Sequence, residues 1–175
     1  MNEPIAVRRL TAVDAPLFRE VRLEGLRREP DAFSSTFANE SGEPLSFFAD
    51  RLARGAVFGA YRGAELIGVA GFYIQAGPKH GHKGTLWGMY VRPDARRGGI
   101  GRLLVEAVIA HACRRVEIIQ LTVISENRAA RRLYASLGFE EYGIEKRAAK
   151  YEGRYHDDVL MAKMLAVPPS GDADP

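Results

Sequence analysis

The sequence of 175 residues contains little cysteine, little lysine and no long apolar run. Its one cysteine, Cys113, cannot form an internal disulfide, so we expect a reducing, cytoplasmic location. No apolar run reaches the roughly 20 residues that span a bilayer, and the first four residues show no secretory pattern, so no membrane partner is expected. Four histidines without a cluster at ligand spacing predict no metal site.

The length and composition favour one globular domain. Hydrophobic residues make up 46% and charged residues 27% of the chain, which is typical of a soluble fold. We expect the domain to cover residues 1–166 and the Pro/Gly/Asp-rich residues 167–175 to form a disordered tail. The 20 arginines outnumber the 5 lysines and suggest an anionic partner, although composition alone favours arginines on solvated helix faces. Nucleic acid is disfavoured because no array of stacking aromatics is present.

The distribution of apolar residues predicts an α/β fold in which a central mixed β-sheet is flanked by about four helices. The expected order is β-α-α-β-β-β-α-β-α-β-β. Strands are predicted over 5–10, 57–61, 66–74, 85–91, 118–124, 139–142 and 159–164, and helices after Asp14, over 44–52, after Gly101 and over 127–137. The segments 30–43 and 77–83 are predicted to be loops that shape an acceptor pocket. The run 151–158 is either a late hairpin near that pocket or a surface turn.

A glycine-rich segment, Arg96-Arg97-Gly98-Gly99-Ile100-Gly101-Arg102, lies between a predicted strand and a predicted helix. Glycines there let backbone amides approach an anion, and the helix N-terminus adds partial positive charge. The segment lacks the Gly-Lys-Ser/Thr of a P-loop, and Leu104 replaces the third glycine of a dinucleotide fingerprint. A phosphate or diphosphate site is therefore predicted, with a tight connection that binds nothing as the alternative.

Two spaced motifs resemble those of the GNAT superfamily of N-acetyltransferases. The segment from Met89 to Leu104 contains Arg96-x-x-Gly99-x-Gly101, similar to the family's acetyl-CoA motif Arg/Gln-x-x-Gly-x-Gly/Ala. The segment from Asn127 to Phe139 resembles the family signature Asn-x-x-Ala-x-x-Leu-Tyr-x-x-x-Gly-Phe. The order of predicted elements also agrees with the family fold.

This resemblance implies an acetyl-CoA-dependent N-acetyltransferase, in which a primary amine of a small molecule or a protein attacks the thioester directly in a ternary complex. Backbone groups of Met89 and Val91 would pair with the pantetheine arm, Asn127 would contact that arm, and Tyr134 would protonate the departing thiolate. Acetyl-CoA is the expected co-substrate, and a homodimer is left open. The remaining cofactor-binding positions are Arg96, Arg97, Gly98, Gly99, Ile100, Gly101 and Arg102.

The residues themselves leave alternatives at the second motif. Asn127 and Tyr134 are seven residues apart, so on a helix they share nearly one face, separated by roughly 10 Å along the axis. One ligand arm could touch both. Asn127 is equally explained as a helix N-cap, and Tyr134 as a core aromatic. A domain that binds acetyl-CoA as a sensor without turnover is the alternative function.

The general base and the acceptor amine are not defined by the sequence. Related ribosomal-protein alanine acetyltransferases carry a glutamate at the position of Thr122, and this departure weakens the interpretation as an N-terminal protein acetyltransferase. Side chains that could accept the amine proton instead are Glu24, Glu40, His82, His156, Asp157 and Asp158.

Overall fold

The computed structural model describes residues 3–166, so the predicted tail 167–175 lies outside the described residues. Seven strands form one mixed sheet in the order β1-β2-β3-β4-β5-β7-β6, which confirms the predicted α/β class. The strands are β1 (Ile5–Arg9), β2 (Ala56–Arg62), β3 (Glu65–Ile74), β4 (Lys83–Val91), β5 (Ile118–Ile124), β6 (Glu140–Tyr151) and β7 (Arg154–Met164). The helices are α1 (Ala15–Arg28), α2 (Phe37–Ser41), α3 (Leu45–Arg54), α4 (Ile100–Ala112) and α5 (Arg128–Ser136).

Helices cover both faces of the sheet because neighbouring residues of a strand point to opposite sides. In β2, Phe58 packs into the cluster formed with α4, whereas Val57 packs into the cluster formed with α1 and α3. The α4 side chains Leu104 and Val108, four residues apart, are fully buried against the first face. Two hydrophobic clusters therefore hold the sheet rigid between two helical layers.

The structure contains one helix more than predicted among residues 3–166. The segment 30–43, predicted to be a loop, contains α2, whose first turn is capped by the Thr36 hydroxyl accepting from the Asn39 amide at 3.2 Å. A helix of five residues is too short to show a helical period in the sequence. It carries Glu40, which is 2% exposed.

The last hairpin is much longer than predicted. β6 was expected to end at residue 142 and extends to Tyr151, and β7 begins at Arg154 rather than near 159. β6 is an edge strand whose residues are largely exposed, so it lacks the apolar alternation that marks a half-buried strand. Positive φ angles at Glu152 (47°) and Gly153 (79°) give the tight turn that joins the two strands. The run 151–158 is therefore a hairpin rather than an isolated surface turn.

The parallel pair β4 and β5 separates after three paired positions, from Lys83↔Ile118 to Thr85↔Gln120. On the other side of β4, Gly88 and Met89 together stand opposite the single β3 residue Ala70, which defines a β-bulge. Gly88 has a φ of 61°, a conformation that glycine adopts without strain. The bulge bends β4, and the gap beyond Thr85 becomes a cleft in the middle of the sheet.

Candidate active site

The cleft between β4 and β5 has a volume of about 1490 Å³ and is also bordered by α4, α5, β7 and the residues 30–34. A cleft of this size accommodates an extended ligand together with a second small molecule. The predicted site residues that line it are Met89, Val91, Arg96, Arg97, Gly99, Ile100, Gly101, Arg102, Asn127 and Tyr134. Gly98 is exposed and does not line the cleft.

One end of the cleft is formed by the first turn of α4. Gly99 is the N-cap residue with a φ of 76°, and the Leu103 amide makes the first bond back to it, at 3.1 Å. The amides before Leu103 therefore have no acceptor within the helix. A Cβ at Gly101 would lie 3.1 Å from both Leu133 Cδ2 and Met89 Cε, so only glycine fits without displacing them. These bare amides at a helix N-terminus suit a diphosphate.

The arginines around this turn are partly held by the protein itself. Arg96 Nε donates to the Val91 carbonyl at 2.9 Å, and the same side chain pairs with Glu29. Backbone groups of Val91 were expected to pair with the pantetheine arm, and Arg96 occupies one of these groups, the carbonyl. Arg102 Nη2 donates to the Ser136 hydroxyl at 2.8 Å and ties α4 to α5.

The Tyr134 hydroxyl lies 3.5 Å from the Met89 sulfur, at the edge of the β4 bulge. Tyr134 is 6% exposed, and burial raises the pKa of its hydroxyl. The side chain therefore stays protonated at neutral pH and can act as a hydrogen-bond or proton donor. Its ring also packs edge-on against Phe139 with centroids 5.8 Å apart, so a place in the core is compatible with a hydroxyl that can donate.

Asn127 is the N-cap of α5. Its Oδ1 accepts from the Ala130 amide at 3.1 Å, as the structural interpretation predicts. Because the cap uses only the carbonyl oxygen, the amide nitrogen is left to donate into the cleft that Asn127 lines. The two interpretations of this residue are compatible.

The structure separates the six candidate bases into two groups. Four of them do not line the cleft: Glu24, Glu40, His82 and Asp157. Glu40 is enclosed by arginines, and Asp157 bonds Lys146 at 2.8 Å. The two that do line the cleft are His156 and Asp158.

His156 and Asp158 lie two residues apart on β7 and therefore face the same side of the sheet. His156 is 6% exposed, with Nε2 3.7 Å from Asp31 Oδ1 on the segment 30–34. Burial raises the pKa of Asp158, and the negative charge of Glu145 raises it further. Among residues 3–166, the Asp158 carboxylate makes no salt bridge.

Sequence reasoning missed a buried ionic cluster beside the cleft, formed by Arg22, Glu40 and Arg51. Arg22 donates to both Glu40 oxygens, at 3.0 and 2.8 Å, and Arg51 Nη1 approaches the same oxygens at 3.2 Å. The only signal in the sequence was Arg22 on the inner face of α1. Without knowledge that Glu40 of α2 packs against it, such an arginine cannot be told from one exposed to solvent.

These features place the chain in a known family. The profile of the Acetyltransferase (GNAT) family matches residues 22–139, more than half of the chain, and the protein belongs to this family.

No helix within residues 3–166 is both long and apolar enough to cross a membrane. The same residues contain no group of three or more potential metal ligands.

Two curated relatives are N-acetyltransferases. The chain is 37% identical over 84 residues to the [Ribosomal protein bS18]-alanine N-acetyltransferase of Salmonella typhimurium, and this match covers 47% of the chain and 57% of that relative. The chain thus spans little more than half the length of that relative. The chain is 26% identical over 152 residues to the N-alpha-acetyltransferase RimI of Mycobacterium tuberculosis, covering 87% of the chain and 89% of the relative.

The fold is shared with solved structures. The protein yncA of Salmonella typhimurium, solved with its cofactor acetyl-CoA, superimposes with a TM-score of 0.80 at 21% identity, over 98% of this chain and 99% of that one. This likeness confirms the predicted GNAT-like fold.

Proposed function

We propose that the protein transfers the acetyl group of acetyl-CoA to a primary amine by direct attack in a ternary complex. The observation that carries this proposal is that one cleft joins the bare amides of the α4 N-terminus to the buried Tyr134 hydroxyl beside Met89. The first feature suits a diphosphate, and the second suits a departing thiolate. The catalytic unit comprises residues 1–166 and acts in the cytoplasm, and one chain supplies all the residues named in this mechanism.

Acetyl-CoA fits this cleft as the co-substrate, and it supplies an activated thioester. The amides of Arg97 and of Gly99 to Arg102 would hold the diphosphate, while the Asn127 side-chain amide and the backbone of Met89 and Val91 would orient the pantetheine arm. The Met89–Tyr90 region of the β4 bulge offers an amide to the developing negative charge on the carbonyl oxygen. Holding both reactants in one cleft supplies much of the rate enhancement.

The transfer step requires one proton acceptor and one proton donor. The amine nitrogen forms the new N–C bond while the C–S bond breaks. The proton lost from the amine passes to Asp158, and the Tyr134 hydroxyl proton passes to the departing sulfur. Both side chains regain their starting protonation states by exchange with water.

Asp158 is the proposed base because of its position on the sheet. Leu160 of β7 pairs with Thr122 of β5, and Asp158 pairs with Ile124, so Asp158 is the diagonal neighbour of Thr122 on the same face. Diagonal neighbours across paired strands lie about 7–8 Å apart. In this proposal, Asp158 on the adjacent strand takes the place of the carboxylate that the family resemblance implies at the Thr122 position. The raised pKa of Asp158 suits a group that must accept a proton near neutral pH.

Asp158→Asn is expected to lower kcat by about 100-fold with little change in KM for acetyl-CoA. Because the base works deprotonated, wild-type activity should fall as the pH drops through the raised pKa of Asp158, above the usual range for aspartate. Burial and the nearby charges of Glu145, Asp157, Glu126 and His156 set that pKa. The variant should lose this acidic limb in a pH profile of kcat/KM.

Asp157→Asn is the matched control, since the neighbouring carboxylate does not line the cleft and instead bonds Lys146 and the Arg147 amide. Its kcat should stay within a fewfold of wild type. An unchanged pH profile in Asp158→Asn would assign the base to another group, with His156→Gln as the next variant to measure.

Two measurements test the proposed function itself. Titration calorimetry should detect binding of acetyl-CoA, and a screen of small amines, amino acids and peptides should show release of coenzyme A. Acetyl-CoA binding without acetylation of any acceptor would favour a sensor, and absence of binding would contradict both functions.

A further inference from the structure

An incompletely paired guanidinium lies in the wall of the cleft. Arg22 is 5% exposed, and its Nε and Nη2 are both bonded to Glu40. The third nitrogen, Nη1, is buried and has no hydrogen-bond partner among residues 3–166. Burying a charged donor without an acceptor costs free energy, and a bound ligand that accepts from Nη1 would remove this cost.

The charge around Arg22 is also unbalanced. Two guanidinium groups, those of Arg22 and Arg51, share the one carboxylate of Glu40. The cluster, in which Arg51 is partly exposed, therefore carries one excess positive charge. An anionic group bound at Nη1 would neutralise this charge and complete the hydrogen bonds of the cluster.

The unpaired nitrogen lies beside the site of chemistry. Nη1 is 3.4 Å from the position that a Cβ on Gly88 would occupy, and Gly88 precedes Met89 in the β4 bulge. The Phe33 ring covers the guanidinium, with its centre 5.0 Å from Arg22 Cζ. Phe33 belongs to the connection between α1 and α2, and both Phe33 and Arg22 line the cleft.

We infer that the acceptor is a small amino acid, whose amine is acetylated while its carboxylate binds Arg22 Nη1. This inference rests on the proposed function and adds the substrate class. The thioester is proposed to lie at Met89, and Arg22 Nη1 lies beside the preceding residue, Gly88. Consecutive Cα atoms are about 3.8 Å apart, so an amine that attacks this thioester and an anion at Nη1 are separated by only a few bonds. In a peptide, the carboxyl group next to the terminal amine is consumed by the peptide bond.

Wild-type protein tests the inference with matched acceptors: L-amino acids, their carboxamides and the amines that lack the carboxyl group. For the best amino acid, kcat/KM should exceed that of its carboxamide by roughly 100-fold, because the analogue leaves a buried charge unpaired. Equal or better use of carboxamides, or of peptides, would overturn the inference and leave the proposed function standing. Release of no coenzyme A with any acceptor would instead contradict the proposed function, and this inference with it.

Two variants separate recognition from structural support. Arg22→Lys should reduce the amino acid to carboxamide ratio of kcat/KM by at least about tenfold. Arg51 also pairs with Glu40, but its side chain does not line the cleft. Arg51→Lys should therefore keep the wild-type ratio of kcat/KM between amino acid and carboxamide. If both variants had a lower melting temperature but kept the wild-type ratio of kcat/KM between amino acid and carboxamide, Arg22 would have a purely structural role. That result would overturn the inference.

Discussion

Tyr134→Phe is expected to lower kcat for acetyl transfer by roughly 100- to 1,000-fold, the usual contribution of a positioned acid. The change removes one hydroxyl whose contact within the described residues is the Met89 sulfur at 3.5 Å. The ring and its packing on Phe139 stay, so folding and acetyl-CoA affinity should be retained. Steady-state kinetics combined with calorimetry of acetyl-CoA binding would measure both quantities.

Tyr155→Phe is the control for this variant, since Tyr155 is 52% exposed and does not line the cleft. It should keep wild-type kcat and wild-type affinity. If Tyr134→Phe also kept full activity, the thiolate would be protonated by water or another side chain. Loss of acetyl-CoA binding in Tyr134→Phe would point to a role in binding rather than in proton transfer.

Glu40→Gln is expected to destabilise the protein by about 3–5 kcal/mol, because it leaves two guanidinium groups without a buried countercharge. Burial alone would raise the pKa of Glu40, but hydrogen bonds and charge from Arg22 outweigh it, and the pKa lies below its ordinary value of 4.5. The stabilisation is therefore present above that value and is lost as the pH falls through the lowered pKa. Urea unfolding at pH 7 and at decreasing pH would measure it.

Asp50→Asn is the matched control, since Asp50 is 66% exposed and lies 4.0 Å from Arg54. An exposed pair of this kind contributes at most about 1 kcal/mol. A Glu40→Gln variant as stable as this control would show that water can solvate the two guanidinium groups in place of the carboxylate. It would also show that Glu40 does not hold α2 to α1 and α3.

The two motifs explain why so much of this cleft was predictable. The role proposed for the segment from Arg96 to Arg102 uses the backbone, so its glycines and the following helix are visible in the order of residues alone. The spacing of Asn127 and Tyr134 likewise follows from one helix. Local geometry therefore predicted the α4 turn, the α5 cap and the inward position of Tyr134, and it determined the mixed α/β class.

Only the tertiary structure brought together the groups that we propose to face the acceptor. Asp158 becomes the neighbour of Thr122 through the pairing of β7 with β5, and no short-range pattern reveals that register. Arg22 and Glu40 lie 18 residues apart, on a long helix and a helix of five residues whose packing makes them a buried pair. A binding site made of consecutive backbone amides can be recognised from the spacing of residues in the sequence. A pocket made of side chains from distant strands and helices exists only after the chain has packed.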